Sequence, residues 1–154
     1  MEKKKEKIKK EKEKEKEREK TKRKEKEYYD NKLIFVGEYL IGEKNGKGKK
    51  YYLNGKLKFE GEYLNGKRNG KGKEYYLNGK LKFEGEYLNG KKYGKGKVYD
   101  NNGKLKYEGE YANDRLNGIG TEYDNNGKIK FEGLYINSLE FDERELDIWL
   151  KFKK

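Results

Sequence analysis

Apolar and polar residues alternate in short bursts that recur at one fixed spacing along most of the chain. In Leu57 to Leu64, the residues Leu57, Phe59, Gly61 and Tyr63 alternate with Lys58, Glu60, Glu62 and Leu64, the period-two pattern of a strand with one buried face. Phe35, Phe59, Phe83, Tyr107 and Phe131 are each 24 residues apart. The same spacing separates Gly37, Gly61, Gly85, Gly109 and Gly133, and also Tyr39, Tyr63, Tyr87, Tyr111 and Tyr135. Because 24 is even, each unit keeps the same parity, so one buried face should continue from repeat to repeat. Four complete units run from residue 35 to residue 130, and a truncated fifth begins at Phe131. Upstream, "EYYDNKLIFVGEY" from Glu27 reads like "EYYLNGKLKFEGEY" with the turn glycine deleted, which places half a unit before Leu33.

Each unit predicts two short strands and two turns. At "YYLNGKL" a two-residue Asn-Gly loop would set Tyr76 opposite Leu81, whereas a three-residue loop ending on a left-handed glycine would set Tyr75 there. Tyr51, Tyr75, Tyr99 and Tyr123 recur without exception, while the next position varies between Tyr and Asp, so the three-residue loop is favoured and these tyrosines are assigned to the core. That register also sets Glu74 opposite Lys82 and Glu122 opposite Lys130. Glycine weakens a strand interior, so Gly61, Gly85 and Gly109 need a separate reason; they leave bare backbone for neighbouring aromatic rings to cross. The expected structural core is therefore Phe35, Tyr39, Tyr51, Phe59, Tyr63, Tyr75, Phe83, Tyr87, Tyr99, Tyr107, Tyr111, Tyr123 and Phe131 with those glycines.

The two ends break the pattern, which divides the chain into an arm at 1–27, an array at 28–138 and a tail at 139–154. The arm alternates Lys and Glu, so residues four apart repel while residues three apart attract, and it is expected to be disordered or weakly helical. In the tail, "DERELDIWLKFKK" offers Asp142 as an N-cap and spreads Leu146, Ile148, Trp149, Leu150 and Phe152 over a wide arc, as expected of an amphipathic helix capping the open end of an array. A membrane-surface or partner-binding helix is the alternative for this tail.

Composition narrows the chemistry. Of 154 residues, 45% are charged and 31% hydrophobic, with 15 Tyr, 20 Gly and no Pro, which suits hairpins and excludes a thick globular core. There is neither Cys nor His, so disulfides, thiol chemistry and the usual zinc ligands are excluded, and no metal or other cofactor is expected. Net charge is +12, of which the arm's 15 basic and 9 acidic residues supply half, favouring acidic partners. With Ile8 the only apolar side chain after Met1 in the arm, no secretory signal is expected, and a cytoplasmic protein with an option of membrane association is the default.

The unit "YEGEYANDRLNGIGTEYDNNGKIK" at residues 107–130, like "FEGEYLNGKRNGKGKEYYLNGKLK" at 59–82, closely resembles the MORN repeat: Tyr-Glu-Gly-Glu-Trp, a short loop, Asn-Gly-Lys, then Gly-x-Gly. The Gly-x-Gly step stands as Gly46 and Gly48, Gly70 and Gly72, Gly94 and Gly96, and Gly118 and Gly120. Tyr39, Tyr63, Tyr87, Tyr111 and Tyr135 occupy the place where Trp is common, and the unit is one residue longer than usual, closer to the variant in YwqK-type bacterial proteins labelled antitoxin components. The resemblance implies an all-β, single-layer, twisted antiparallel sheet of stacked hairpins. It also implies an interaction scaffold, homodimerisation in some members, and association with phospholipid in others.

Catalytic signals are weak. The pairs Glu60 and Glu62, Glu84 and Glu86, and Glu108 and Glu110 recur on an outward face, as a solvated or salt-bridged surface does rather than an acid and base pair. "GEYLNGKR" at 61–68 fits Gly-x-x-x-x-Gly-Lys but has Arg68 where a phosphate loop needs Ser or Thr, and the turn reading replaces it. Binding is better supported. The segments "GEKNGKGK", "GKRNGKGK" and "GKKYGKGK" place Lys44, Lys47, Lys67, Arg68, Lys71, Lys91, Lys92 and Lys95 in periodic loops that would form a basic stripe, with Arg115 as a unit-specific addition. The expected function is a non-enzymatic scaffold for an unidentified protein partner. The alternatives are a peripheral module for anionic phospholipid and a toxin-neutralising antitoxin; nucleic acid is disfavoured but left open.

Overall fold

The computed structural model describes residues 2–141. Within them one helix, α1 (Glu2–Thr21), precedes eleven strands: β1 (Arg23–Tyr29), β2 (Lys32–Leu40), β3 (Glu43–Tyr51), β4 (Leu57–Leu64), β5 (Lys67–Tyr75), β6 (Leu81–Leu88), β7 (Lys91–Tyr99), β8 (Leu105–Ala112), β9 (Arg115–Tyr123), β10 (Ile129–Ile136) and β11 (Leu139–Phe141). Every strand pairs with its sequence neighbours, giving one open antiparallel meander in the order β1 to β11, with the twist that paired strands carry. All pairings are local in sequence, as stacked hairpins require.

The two turns of each unit differ. Leu64 faces Lys67 across a two-residue loop in which Asn65 (φ 49°) and Gly66 (φ 79°) are both left-handed, the backbone that matches strand twist. At the other end, Gly79 N–H donates to Tyr76 C=O and Tyr76 N–H donates to Lys80 C=O, both at 2.9 Å, enclosing the expected three-residue loop. Tyr75 accordingly faces Leu81. Where the turn glycine is deleted, the loop contracts to Asp30 and Asn31, both at positive φ.

A bulge then changes the register. Glu74 faces Phe83, so Lys82 is the extra residue and is not opposite Glu74 as the unbroken register predicted. The bulge inverts parity, and Tyr75, Tyr99 and Tyr123 leave the core: they are half-buried, and their hydroxyls donate to Glu60, Glu84 and Glu108, each at 2.6 Å. Tyr51 is likewise half-buried and outside the core cluster. Recurrence of Tyr75, Tyr99 and Tyr123 therefore reflects a recurring carboxylate partner rather than the core, while the place equivalent to that carboxylate beside Tyr51 is taken by Val36. The Glu122 and Lys130 pair survives, with 2.7 Å between Nζ and Oε1, although Glu122 faces Phe131.

The core proper is a ladder of rings on one face of the sheet. Phe35, Tyr39, Phe59, Tyr63, Phe83, Tyr87, Tyr107, Tyr111 and Tyr135 are buried, with Phe131 half-buried at the end. Successive rings meet edge-to-face, from 5.9 Å between the Phe35 and Tyr39 centroids to 5.2 Å between Phe131 and Tyr135, the arrangement the ring quadrupole favours. Gly61 and Gly72 face each other beneath this ladder, and a Cβ on either would stand 2.7 Å from the Phe59 ring. Turn backbone also ties units together: Gly66 N–H donates to Lys44 C=O at 3.0 Å, and Gly90 N–H to Arg68 C=O at 2.8 Å.

The arm differs from its expectation. It is a continuous α-helix to Thr21, exposed where its side chains are described, with Lys10 and Glu6 paired one turn apart at 3.1 Å. Lys and Glu are both strong helix formers, and that propensity outweighs the like-charge spacing. The sheet also starts inside the expected arm, at Arg23. The proposed C-terminal helix lies outside the described residues.

Candidate interaction surfaces

The bulges and glycines give the sheet two chemically different faces. Asn69, Gly70 and Lys71 together oppose Glu62, and the carboxylate of Glu62 curls back to accept the Lys71 N–H at 3.0 Å. Glu38 and Glu110 do the same for the N–H groups of Lys47 at 2.9 Å and Ile119 at 3.0 Å. A Cβ at Gly70, whose φ is 97°, would stand 2.0 Å from Glu62 Oε2. The first glycine of each Gly-x-Gly step thus admits a carboxylate, and the second admits a ring.

On the face away from the rings lies a groove of about 770 Å³ running from Lys24 of β1 to β7. Its floor is the backbone of Gly37, Gly48, Gly61, Gly72, Gly85 and Gly96. Its walls alternate in charge across the strands: Lys49 faces Glu60, Glu60 faces Lys73, Lys73 faces Glu84, and Glu84 faces Lys97. Lys49 and Glu60 approach to 3.7 Å, and Lys97 and Glu108 to 3.4 Å. The Tyr75 and Tyr99 hydroxyls buttress this wall; burial and their bonds to Glu60 and Glu84 push both up to about 12.

On the ring face, cations cover the aromatic ladder. Lys44 Nζ lies 4.1 Å from the Phe35 centroid, the Arg68 guanidinium 4.1 Å from Phe59, and Lys92 Nζ 4.3 Å from Phe83. Between Phe59 and Phe83 sits Glu74, held by Arg68 at 2.6 Å, the Tyr87 hydroxyl at 2.9 Å and Lys92 at 4.0 Å. Burial pushes the Glu74 carboxyl up, but Lys92, Tyr87 and Arg68 together hold it below the usual range. Glu27 has a similar setting, accepting from the Tyr39 hydroxyl and from Lys44.

These positions correct the basic stripe. Its residues are in β3, β5, β7 and, for Arg115, β9 rather than loops, because backbone ladder bonds form whatever the polarity of the side chains. Bulges then divide them: Lys44, Arg68 and Lys92 stack on rings, Lys47, Lys71 and Lys95 line the groove, and Lys67, Lys91 and Arg115 are exposed where their strands begin. Sequence reasoning missed Lys49, Lys73 and Lys97, whose signal was their constant offset from the recurring glutamates. Among the described residues no helix is long and apolar enough to cross a membrane.

The geometry agrees with comparisons to known families. The MORN repeat profile matches residues 59–80, and the MORN repeat variant profile matches 44–65, 92–113 and 116–137, together more than half of the chain. Comparison with curated proteins gives no match. Four matched segments, a hairpin meander and the Gly-x-Gly step at its bulges establish that this chain belongs to the MORN-repeat proteins.

Proposed function

We propose that the protein is a non-enzymatic scaffold that holds a segment of a protein partner in the glycine-floored groove. The observation that carries this reading is the groove itself: about 770 Å³ of open trough from β1 to β7, with bare backbone below and Lys and Glu alternating along both sides. The Cβ positions of this glycine row point to the rings, so on the groove side the row presents backbone alone, which a partner's backbone or small side chains can approach closely. Alternating walls suit a partner bearing both charges and oppose one of a single sign, which gives specificity more than affinity. The carboxylates at the rim are engaged by lysines, tyrosines and backbone N–H groups, a setting that supports binding rather than proton transfer.

A lipid surface fits less well, since an anionic membrane calls for contiguous basic charge and the basic residues here are divided between two faces. A photo-crosslinking residue placed at Lys73 should capture a discrete protein adduct that the same residue at exposed Lys80 does not. The double reversal Lys73→Glu with Lys97→Glu should abolish that adduct. Salt-sensitive sedimentation with phosphatidylserine vesicles, with no position-dependent adduct, would overturn the reading in favour of the membrane. Capture of a toxin encoded beside this gene would specialise it to an antitoxin.

A further inference from the structure

The ring face repeats one device with a single inversion. Position 74 lies on β5 between Phe59 and Phe83, and the cations stacked on those rings, Arg68 and Lys92, converge on the Glu74 carboxylate. One unit earlier, position 50 lies on β3 between Phe35 and Phe59, whose rings carry Lys44 and Arg68. The residue there is Lys50. A third cation thus stands where the neighbouring unit has the bridging carboxylate.

Lys50 is largely exposed, and its side chain makes no hydrogen bond or ion pair among the described residues. Its own field is unfavourable: burial, then Lys58, Arg68 and Lys44, lower its affinity for a proton, with Glu27 opposing. Arg68, which has no carboxylate at position 50, is drawn instead to Glu74. Tyr63 faces Arg68 across β4 and β5, while the Tyr87 hydroxyl of the next unit donates to a carboxylate. The positions facing successive rings read Glu27, Lys50, Glu74, Val98 and Glu122, so the carboxylate gives way to a neutral side chain once and to the opposite charge only at Lys50; a local rule reversed at a cost in repulsion marks a functional or strained position.

We infer that Lys50, flanked by Lys44 and Arg68, whose internal partners are Glu27 and Glu74, receives a carboxylate side chain from an acidic protein segment, which takes the place that Glu74 fills internally one unit on. The site is on the face opposite the groove, so it is independent of the groove reading and survives its failure. A carboxylate is favoured because the equivalent cradle already holds one, bonded by a tyrosine hydroxyl and two stacked cations.

The test uses the full chain and a fluorescein-labelled hexaglutamate peptide read by anisotropy. Lys50→Glu should weaken peptide binding by about tenfold or more, the range of a lost charge-assisted hydrogen bond, and should raise the melting temperature by supplying the missing carboxylate. Lys50→Gln should weaken binding without that rise. Lys56→Glu, an identical charge change in an exposed turn, should shift the affinity by less than about twofold at 0.15 M salt. Equal losses for Lys56→Glu and Lys50→Glu, or a lowered melting temperature in Lys50→Glu, overturn the inference. So does Lys50-dependent binding of phosphatidylserine vesicles in preference to the peptide, which reassigns the site to lipid.

Discussion

At the scale of single residues, glycine does three separate jobs that composition alone does not distinguish. Gly79 is left-handed with open space around it, Gly70 is left-handed beneath a carboxylate, and Gly85 has an ordinary backbone but no room. At Gly85 a Cβ would meet the Phe83 ring at 2.6 Å, the Lys95 carbonyl at 2.7 Å and the Gly96 Cα at 2.8 Å. Two of those three neighbours are backbone, so the site has little freedom to relax. Gly85→Val should therefore destabilise by about 1–3 kcal/mol or more despite the higher strand propensity of valine; urea melts equal to wild type would refute the packing argument. Charge at the residue scale is tested by Glu74, whose carboxyl is pushed up by burial but held below the ordinary glutamate range by Lys92, Tyr87 and Arg68. A depressed folded value means stability that is present above the unfolded pKa and is lost as pH falls through the folded one. Urea midpoints measured between pH 7 and pH 3 should fall less steeply in Glu74→Gln than in wild type, because that variant has already lost the ionised form. Parallel acid limbs would mean that Arg68 and Lys92 do not act on Glu74 in solution.

At the scale of the hairpin, what was legible depended on whether the signal was local. Loop length was legible because Asn and Gly declare left-handed positions, and the three-residue loop with Tyr75 facing Leu81 is what forms. The ring ladder was legible because period 24 preserves parity. Bulges were not legible: Lys82 is an ordinary lysine, and its extra place in the ladder depends on how two twisted strands meet rather than on its own chemistry. One missed bulge misplaced Tyr51, Tyr75, Tyr99 and Tyr123, and three-residue bulges such as Asn69 to Lys71 divided the supposed basic stripe. The groove was hidden for the same reason, since its floor and walls are read from pairing rather than from any one strand. The turns supply the test at this scale. Gly79→Ala should cost about 1 kcal/mol, the penalty for a left-handed alanine, since nothing lies within 4 Å of the new Cβ. Gly79→Asn should cost less, because asparagine tolerates that backbone; equal urea midpoints for Ala and Asn would mean the loop rearranges.

For the whole molecule, the even period couples chemistry to architecture. One 24-residue unit contributes two strands, one ring pair and one stretch of groove, and it returns the chain to the same face and direction. The units contact chiefly their neighbours, so stability should grow with unit number as in other linear arrays. Deleting residues 83–106 removes one full unit and joins Lys82 to Tyr107, which restores Tyr-Glu-Gly-Glu-Tyr after the turn. Tyr111 then falls where Tyr87 stood, within reach of the Glu74 carboxylate and the Phe59 ring. That deletion should give a folded protein with nine strands, cooperative melting at a lower temperature, and a urea m-value reduced by roughly a fifth. Deleting only residues 83–94 removes a strand and its turn but leaves the following strand running in the wrong direction with its rings mismatched. The shorter deletion should be the more damaging one, with lost β-sheet circular dichroism or aggregation. If it folds as well as the longer deletion, the paired hairpin is not the unit of stability, and a groove defined by that unit loses its structural basis.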